Sequence, residues 1–147
     1  MNYENLLREH GLKVTPQRLG ILSLMQQSGH VSVDDLYAEI KKQFPSVSLA
    51  TMYKNINAMM NSSTIIEVKI PKQKSRFEIV KEKHGHLLCQ ECGDFSDIKV
   101  DFEKVIGDIQ MKSRYKLFET NLVLSGICPR CQHSSASPIS LFPVGLI

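Results

Sequence analysis

No apolar run in this chain approaches the ~20 residues that a membrane helix requires; the longest uncharged apolar stretch lies near the C-terminus and is far shorter. Residues 1–9 carry charge of both signs and no apolar run, so we expect no secretory signal. Charge of one sign is also scarce. Lys and Arg number 18 against 15 Asp and Glu, a net of +3, which excludes a polybasic tail protein. Disorder is excluded by the 42% hydrophobic content. The expectation is a cytoplasmic globular chain whose 147 residues can bury one moderate core or two small ones.

Cysteine is sparse, and none of it is scattered. The four stand as Cys89-Gln-Glu-Cys92 and Cys128-Pro-Arg-Cys131, with 35 residues between the pairs. Two residues between thiols let a tight turn aim both sulfurs at one point, and two such turns complete a tetrahedron. Gly93 follows the first pair and Pro129 lies within the second, as knuckle turns often show. In a reducing cytosol disulfides are disfavoured. One C-x-x-C pair would leave a redox dithiol open, whereas two favour a structural Zn²⁺ held by Cys89, Cys92, Cys128 and Cys131. Such a closed site stabilises structure and leaves no position for chemistry.

Ahead of the cysteines the pattern is helical. Thr15 suits an N-cap and Pro16 the first turn of a helix reaching residue 28, with Leu19, Leu22 and Met25 on one face. Ser32 and Asp35 form a capping box for a second helix whose apolar positions are Val33, Leu36, Tyr37 and Ile40 and which stops before Pro45. A third helix follows Ser48 to about Met60, with Leu49, Met52, Ile56 and Met59 as its core stripe. Its opposite face carries Thr51, Lys54, Asn55 and Asn57, with Tyr53 at the edge. Two strand-like runs, 65–70 and 75–80, flank the polar turn Pro71–Lys74. Three helices and a hairpin spell a winged helix, whose third helix enters the DNA major groove. The whole positive excess lies in residues 1–75, with nine Lys/Arg against six Asp/Glu, as phosphate attraction requires.

The second half reads as strands near Leu87-Leu88, 95–98 and 122–125, with a helix from Asp101 to about Ser113 whose apolar stripe is Phe102, Val105, Ile106 and Ile109. A module of some 45 residues has little core of its own, so metal and a dimer interface are both expected to support it. The fold class is therefore α+β. We expect a winged-helix DNA-binding domain over 1–80, a hinge over 81–84, an α/β dimerisation domain with the Cys₄ zinc over 85–131, and a tail over 132–147 of non-native character.

The remaining polar constellation is mixed. His84-Gly85-His86 sets two imidazoles at i and i+2, on one side of an extended segment. Glu78 ends the wing, Asp97 lies on the strand after the first knuckle, and His30 sits between the first two predicted helices. Imidazole with carboxylate suits Fe²⁺, Mn²⁺ or Zn²⁺ and differs chemically from an all-thiolate site. A metal drawing ligands from both halves would fix the angle between domains and so act as a switch. Taken singly, each of these residues has a plainer reading as a solvated or helix-terminal group. His10 and His133 are read as surface residues.

These segments together resemble the ferric uptake regulator family of bacterial metalloregulators. The likeness rests on Gly11–Arg18, His30 with Asp34-Asp35-Leu36-Tyr37, Ser48–Tyr53, Ser75–Glu78, His84–His86 and the two cysteine pairs, and it spans Gly11 to Cys131. It implies a homodimeric, non-enzymatic repressor of double-stranded operator DNA, with no membrane partner. It also implies a regulatory Fe²⁺ or Mn²⁺ at His30, Glu78, His84, His86 and Asp97. Tyr53 and its neighbours Thr51, Lys54 and Asn55 would face the operator, with Lys13 near the minor groove. The family's accessory third site has Lys83, Gly85, Lys104 and Thr120 at its matching positions, which cannot ligate, so at most two metals per subunit are implied.

Asp97 and Asn55 resemble the peroxide-sensing branch, whereas Glu78 leans toward the iron-responsive branch. The resemblance favours a repressor that senses peroxide through iron-catalysed oxidation of a site histidine, His30 or His84, with iron-responsive repression as the alternative. A metal-dependent hydrolase is the rival outside the family, since two His and two carboxylates can activate water, but the sequence offers no separate base or substrate pocket.

Overall fold

The structure, a computed structural model, describes residues 1–134; the remainder of the predicted tail lies outside the described residues. The chain divides into two compact units, the first Met1–Glu82 and the second beginning at Lys83.

The first unit holds α1 (Tyr3–Glu9), α2 (Pro16–Ser28), β1 (Val31–Ser32), α3 (Val33–Gln43), α4 (Leu49–Asn61), β2 (Ile65–Val68) and β3 (Arg76–Ile79). Three of its helices start where the sequence places their caps. The side chains of Thr15, Ser32 and Ser48 accept from the backbone N–H of Arg18, Asp35 and Thr51 respectively. Ile21, Leu22 and Met25 of α2, Leu36 and Ile40 of α3, and Met52, Ile56 and Met59 of α4 meet in one core, closed by Ile65, Phe77 and Ile79 of the sheet. The sheet runs β1-β3-β2, all antiparallel. The β2–β3 hairpin is the wing, and its Lys74 is ion-paired to Asp34 at the start of α3.

Three features depart from the sequence reading. A further helix, α1, precedes the predicted three; Asn2 caps it and Leu7 anchors it with no exposed surface. Leu49 is 41% exposed rather than core, while Met52, Ile56 and Met59 of the same stripe are buried. The two-residue β1 adds a strand beside the wing.

The second unit contains β4 (Gly85–Cys89), β5 (Phe95–Ile98), α5 (Phe102–Ser113), β6 (Val123–Gly126) and α6 (Pro129–Ser134). Its sheet order is β5-β4-β6, with β4 antiparallel to β5 and parallel to β6. Asp101, at the expected start of this helix, caps α5, and Arg114 ends it in the left-handed conformation. The predicted stripe of α5 is not a buried face of this chain. Phe102 is buried, but Val105 and Ile109 are 43% and 47% exposed. α6 was not expected and takes in residues 132–134, which the sequence reading assigned to the tail. Among the described residues, no helix is long and apolar enough to cross a membrane.

Candidate metal centres and nucleic-acid interface

The parallel pairing of β4 with β6 builds the cysteine site. Cys89 ends β4 opposite Gly126 of β6, so the turn after β4 and the segment after β6 emerge side by side. The first turn closes through Gly93 N–H to the Cys89 carbonyl at 2.9 Å, with Gly93 at φ +79°, a conformation that favours glycine. In the second, the Cys131 N–H points at Cys128 Sγ over 3.5 Å, as an N-cap side chain receives a helix amide.

All four Sγ atoms lie within 4.8 Å of one another, and those of Cys92 and Cys128 are 3.9 Å apart. A tetrahedral ion with Zn–S bonds of about 2.3 Å sets its sulfurs about 3.8 Å apart. The donor set therefore fits Zn²⁺. The electrostatics point the same way. The N–H of Cys128, 3.3 Å from Cys89 Sγ, and that of Cys92 lower the Cys89 thiol from its ordinary 9.0 to about 6. The adjoining Cys128 sulfur, then burial, push the Cys131 thiol up to about 12. One sulfur is thus already a thiolate at neutral pH, and another gives up its proton only to a cation. Arg130 Nη2 reaches Cys92 Sγ at 3.7 Å, and that sulfur raises the guanidinium pKa further.

Within the same unit β4 also carries the imidazoles. His84 and His86 bring their Nε2 atoms to 3.1 Å, as the i, i+2 spacing predicts. His86 is the cross-strand partner of Asp97 on β5. Asp97 Oδ1 stands 3.6 Å from each Nε2, which closes a triangle of donors. The His86 ring lies flat on Phe95, centroids 5.0 Å apart, which fixes its plane. Gly85 between the two histidines is a packing requirement. A Cβ there would sit 3.1 Å from Leu122 and 3.3 Å from Ile98 and Val100.

In the first unit His30 and Glu78 form a donor pair, His30 Nε2 to Glu78 Oε2 at 3.0 Å, with Glu78 buried and His30 nearly so. The strand that the sequence reading missed explains it. β1 pairs Val31 with Phe77, so the residue before Val31 falls beside the residue after Phe77. Gly29 at φ +76° caps α2 and turns the chain into that register. A neutral imidazole beside a carboxylate suits a borderline divalent cation, as does the His84–His86–Asp97 triangle.

On α4, Thr51, Tyr53 and Lys54 are exposed, as is Lys13 ahead of α2. Asn55 differs from expectation: it is half-buried, and its amide oxygen accepts from Arg18 Nε at 3.1 Å.

The sequence matches the ferric uptake regulator family over residues 9–125. The chain belongs to that family. It is 30% identical over 130 residues to the peroxide operon regulator of Bacillus subtilis, an alignment covering 85% of this chain and 88% of that protein. Among solved structures, it resembles the Campylobacter jejuni peroxide stress regulator at 32% identity and a TM-score of 0.67, covering 89% and 100% of the two chains. It also resembles the ferric uptake regulator of Vibrio cholerae at 30% identity and a TM-score of 0.69, covering 86% and 100%.

Ferric uptake regulator family members are metal-dependent transcriptional regulators and not enzymes, which sets the hydrolase reading aside. Among residues left unassigned by sequence, His10 proves not to be a plain surface group. Its Nδ1 lies 2.9 Å from the Leu6 carbonyl at the end of α1. A His near a helix C-terminus can bond its last carbonyls, but with α1 unread from the sequence that role was not visible there. His133 is exposed on α6, as read. Arg18, which lies 37 residues from Asn55, had no local signal at all.

Proposed function

We propose that this chain is a cytoplasmic homodimeric repressor of double-stranded operator DNA that senses peroxide at a regulatory Fe²⁺ site. Zn²⁺ is held at Cys89, Cys92, Cys128 and Cys131. His30 and Glu78 from one unit and His84, His86 and Asp97 from the other are the regulatory ligands. The reading is carried by the His84–His86–Asp97 triangle, whose three donor atoms converge to within 3.6 Å. One metal with ligands from both units makes their relative placement depend on occupancy, and DNA affinity follows from the differential binding of the two states. Thr51, Tyr53, Lys54 and Asn55 read the operator, and Lys13 lies toward the minor groove. Val105, Ile109 and Phe118, exposed on the single chain, supply the dimer face.

Fe²⁺ held there would catalyse a two-electron oxidation in which hydrogen peroxide gives one oxygen to a ligand imidazole and leaves as water. The chain contributes an oxidisable imidazole, His30 or His84, whose modification weakens ligation and ends repression. Mass spectrometry of Fe²⁺-loaded protein treated with peroxide is expected to show one added oxygen on the His30 or His84 peptide, with loss of operator binding. Unmodified histidines with DNA binding intact would sink the peroxide reading. Glu78 supports the second reading, iron-responsive repression, which that result would leave standing.

A further inference from the structure

The first turn of α2 carries a guanidinium that is held from two sides and neutralised from neither. Arg18 donates through Nε to Asn55 Oδ1 of α4 at 3.1 Å and through Nη1 to the Lys13 carbonyl at 2.9 Å. Its backbone N–H goes to the Thr15 cap. Both side-chain acceptors are neutral, and among the described residues no carboxylate pairs with Arg18. These bonds use Nε and one Nη1 hydrogen. The Nη2 hydrogens and the other on Nη1 have no partner among the described residues. The side chain is half-buried, so solvent and salt screen its charge less than they would a fully exposed cation.

A cation that is aimed and uncompensated is prepared for an anion. The planar guanidinium takes the oxygens of a phosphate through parallel N–H bonds, and fixing its plane in advance reduces what binding must order. The first turn of α2 holds no acidic residue, so the positive end of its helix dipole is uncompensated as well. The surroundings specify which anion. Arg18 bridges the segment that exposes Lys13 and the turn of α4 that follows the exposed Thr51. It therefore stands between two parts of the surface that would meet the duplex.

The geometry points to Arg18 as a further operator-binding residue, whose remaining Nη hydrogens hold a backbone phosphate while Asn55 and the Lys13 carbonyl aim it. Such a contact sets the register of the protein on the duplex and carries no sequence information of its own. Asn55 keeps a second oxygen lone pair and its amide hydrogens, so it can orient Arg18 and still meet a base. The inference rests on the operator-binding function proposed above.

The test uses the full chain in Mn²⁺ buffer, with a duplex that the wild type selects from a randomised library and an unrelated duplex of equal length. Affinity for both is measured across a salt series for the wild type, R18Q and R18K. Unchanged melting and zinc content establish that the variants are folded. R18Q is expected to bind both duplexes about tenfold more weakly, and its log–log salt slope should fall by about one. R18K keeps the charge but lacks the planar fork that spans both acceptors, so its slope should match the wild type while its affinity falls. Methylphosphonates, which remove one phosphate charge at a time, should then locate the partner: one position in each half-site weakens the wild type and leaves R18Q unaffected. An unchanged salt slope in R18Q, or the absence of any phosphate to which R18Q alone is indifferent, would overturn the proposal and leave operator binding intact. Either result is what a purely structural clamp between α2 and α4 would give. Failure of the wild type to bind any duplex would overturn the operator-binding reading and this one with it.

Discussion

The two units of this chain solve the problem of stability differently. In the first, three capped helices and a small sheet close over a core in which Leu22, Leu36, Ile40, Met52 and Met59 have no exposed surface. In the second, the buried hydrophobic residues among those described are Leu88, Cys89 and Phe102, while Met111, Tyr115 and Phe118 are 80%, 71% and 87% exposed on the single chain. A module so poorly filled cannot rest on apolar burial alone. Its fold is expected to depend on the thiolate site, and its exposed side chains on a partner surface. On the function proposed above, the consequence is functional as well as energetic: the unit proposed to read DNA has its own core, and the unit proposed to assemble would be conditional on metal and partner.

The largest test of this contrast is removal of the zinc ligands. Structural zinc contributes about 10–16 kcal/mol to small metal-folded domains, which exceeds what the second unit's core can supply. Cys89→Ser or Cys128→Ser is expected to abolish tight zinc binding and unfold the second unit, while the first keeps its helical signal. Limited proteolysis with zinc analysis reads this directly. A protease-resistant second unit without zinc would break the comparison.

Next in size is a cavity in the first core. Leu36→Ala or Met52→Ala is expected to cost about 2–5 kcal/mol, seen as a lower melting transition for the first unit with zinc content unchanged. The matched change in the second unit, Ile109→Ala, removes a side chain that is nearly half-exposed in the single chain. It is expected to weaken dimerisation, measured by sedimentation, more than it lowers the melting of either unit.

The same contrast explains what could be read from sequence. The knuckles, the caps at Thr15, Ser32, Ser48 and Asp101 and the span of β5 are set by local chemistry, and all were legible. α1 was not, because its stripe of Tyr3, Leu6 and Leu7 lasts little more than one turn among Glu4, Arg8 and Glu9. β1 was hidden by its two-residue length, although it is what sets His30 beside Glu78. The α5 stripe was legible as apolar but not as exposed, since periodicity reports a face and not what covers it. Arg18 with Asn55 is a tertiary pairing that no local rule anticipates.

A third prediction concerns pH. Thiolates and not thiols bind the metal. Because the Cys131 thiol titrates near about 12 without metal, its proton is displaced on binding throughout the neutral range. Zinc affinity is therefore expected to fall at least about tenfold for each pH unit lost. Below about 6, Cys89 must also be deprotonated by the metal, and the fall steepens by a further power of ten per unit. Competition with a chromophoric chelator between pH 5 and 8 reads the slope. A flat profile would show that the thiols are not arranged as described. The first unit, which lacks these groups, is expected to keep its fold across the same interval.

The smallest effect separates the two units most cleanly, because the same substitution is read in different quantities. Ser48 caps α4 and Asp101 caps α5, each by accepting from the N–H three residues on, at 3.1 and 3.2 Å. Replacing either by Ala costs about 1 kcal/mol. In the first unit that loss falls on a fold that stands without metal, so Ser48→Ala should lower its melting temperature by several degrees at any zinc concentration. In the second unit folding and metal binding are one equilibrium, so the same ~1 kcal/mol should appear as a roughly fivefold weaker zinc affinity. With zinc in excess its melting should fall by the same ~1 kcal/mol, because a fivefold larger Kd removes that much at any zinc concentration, and without zinc there should be no transition to shift. If Asp101→Ala instead lowers melting equally with zinc and in its absence, the second unit folds before it binds metal, and the division between a self-sufficient reader and a metal-dependent assembler fails at its foundation.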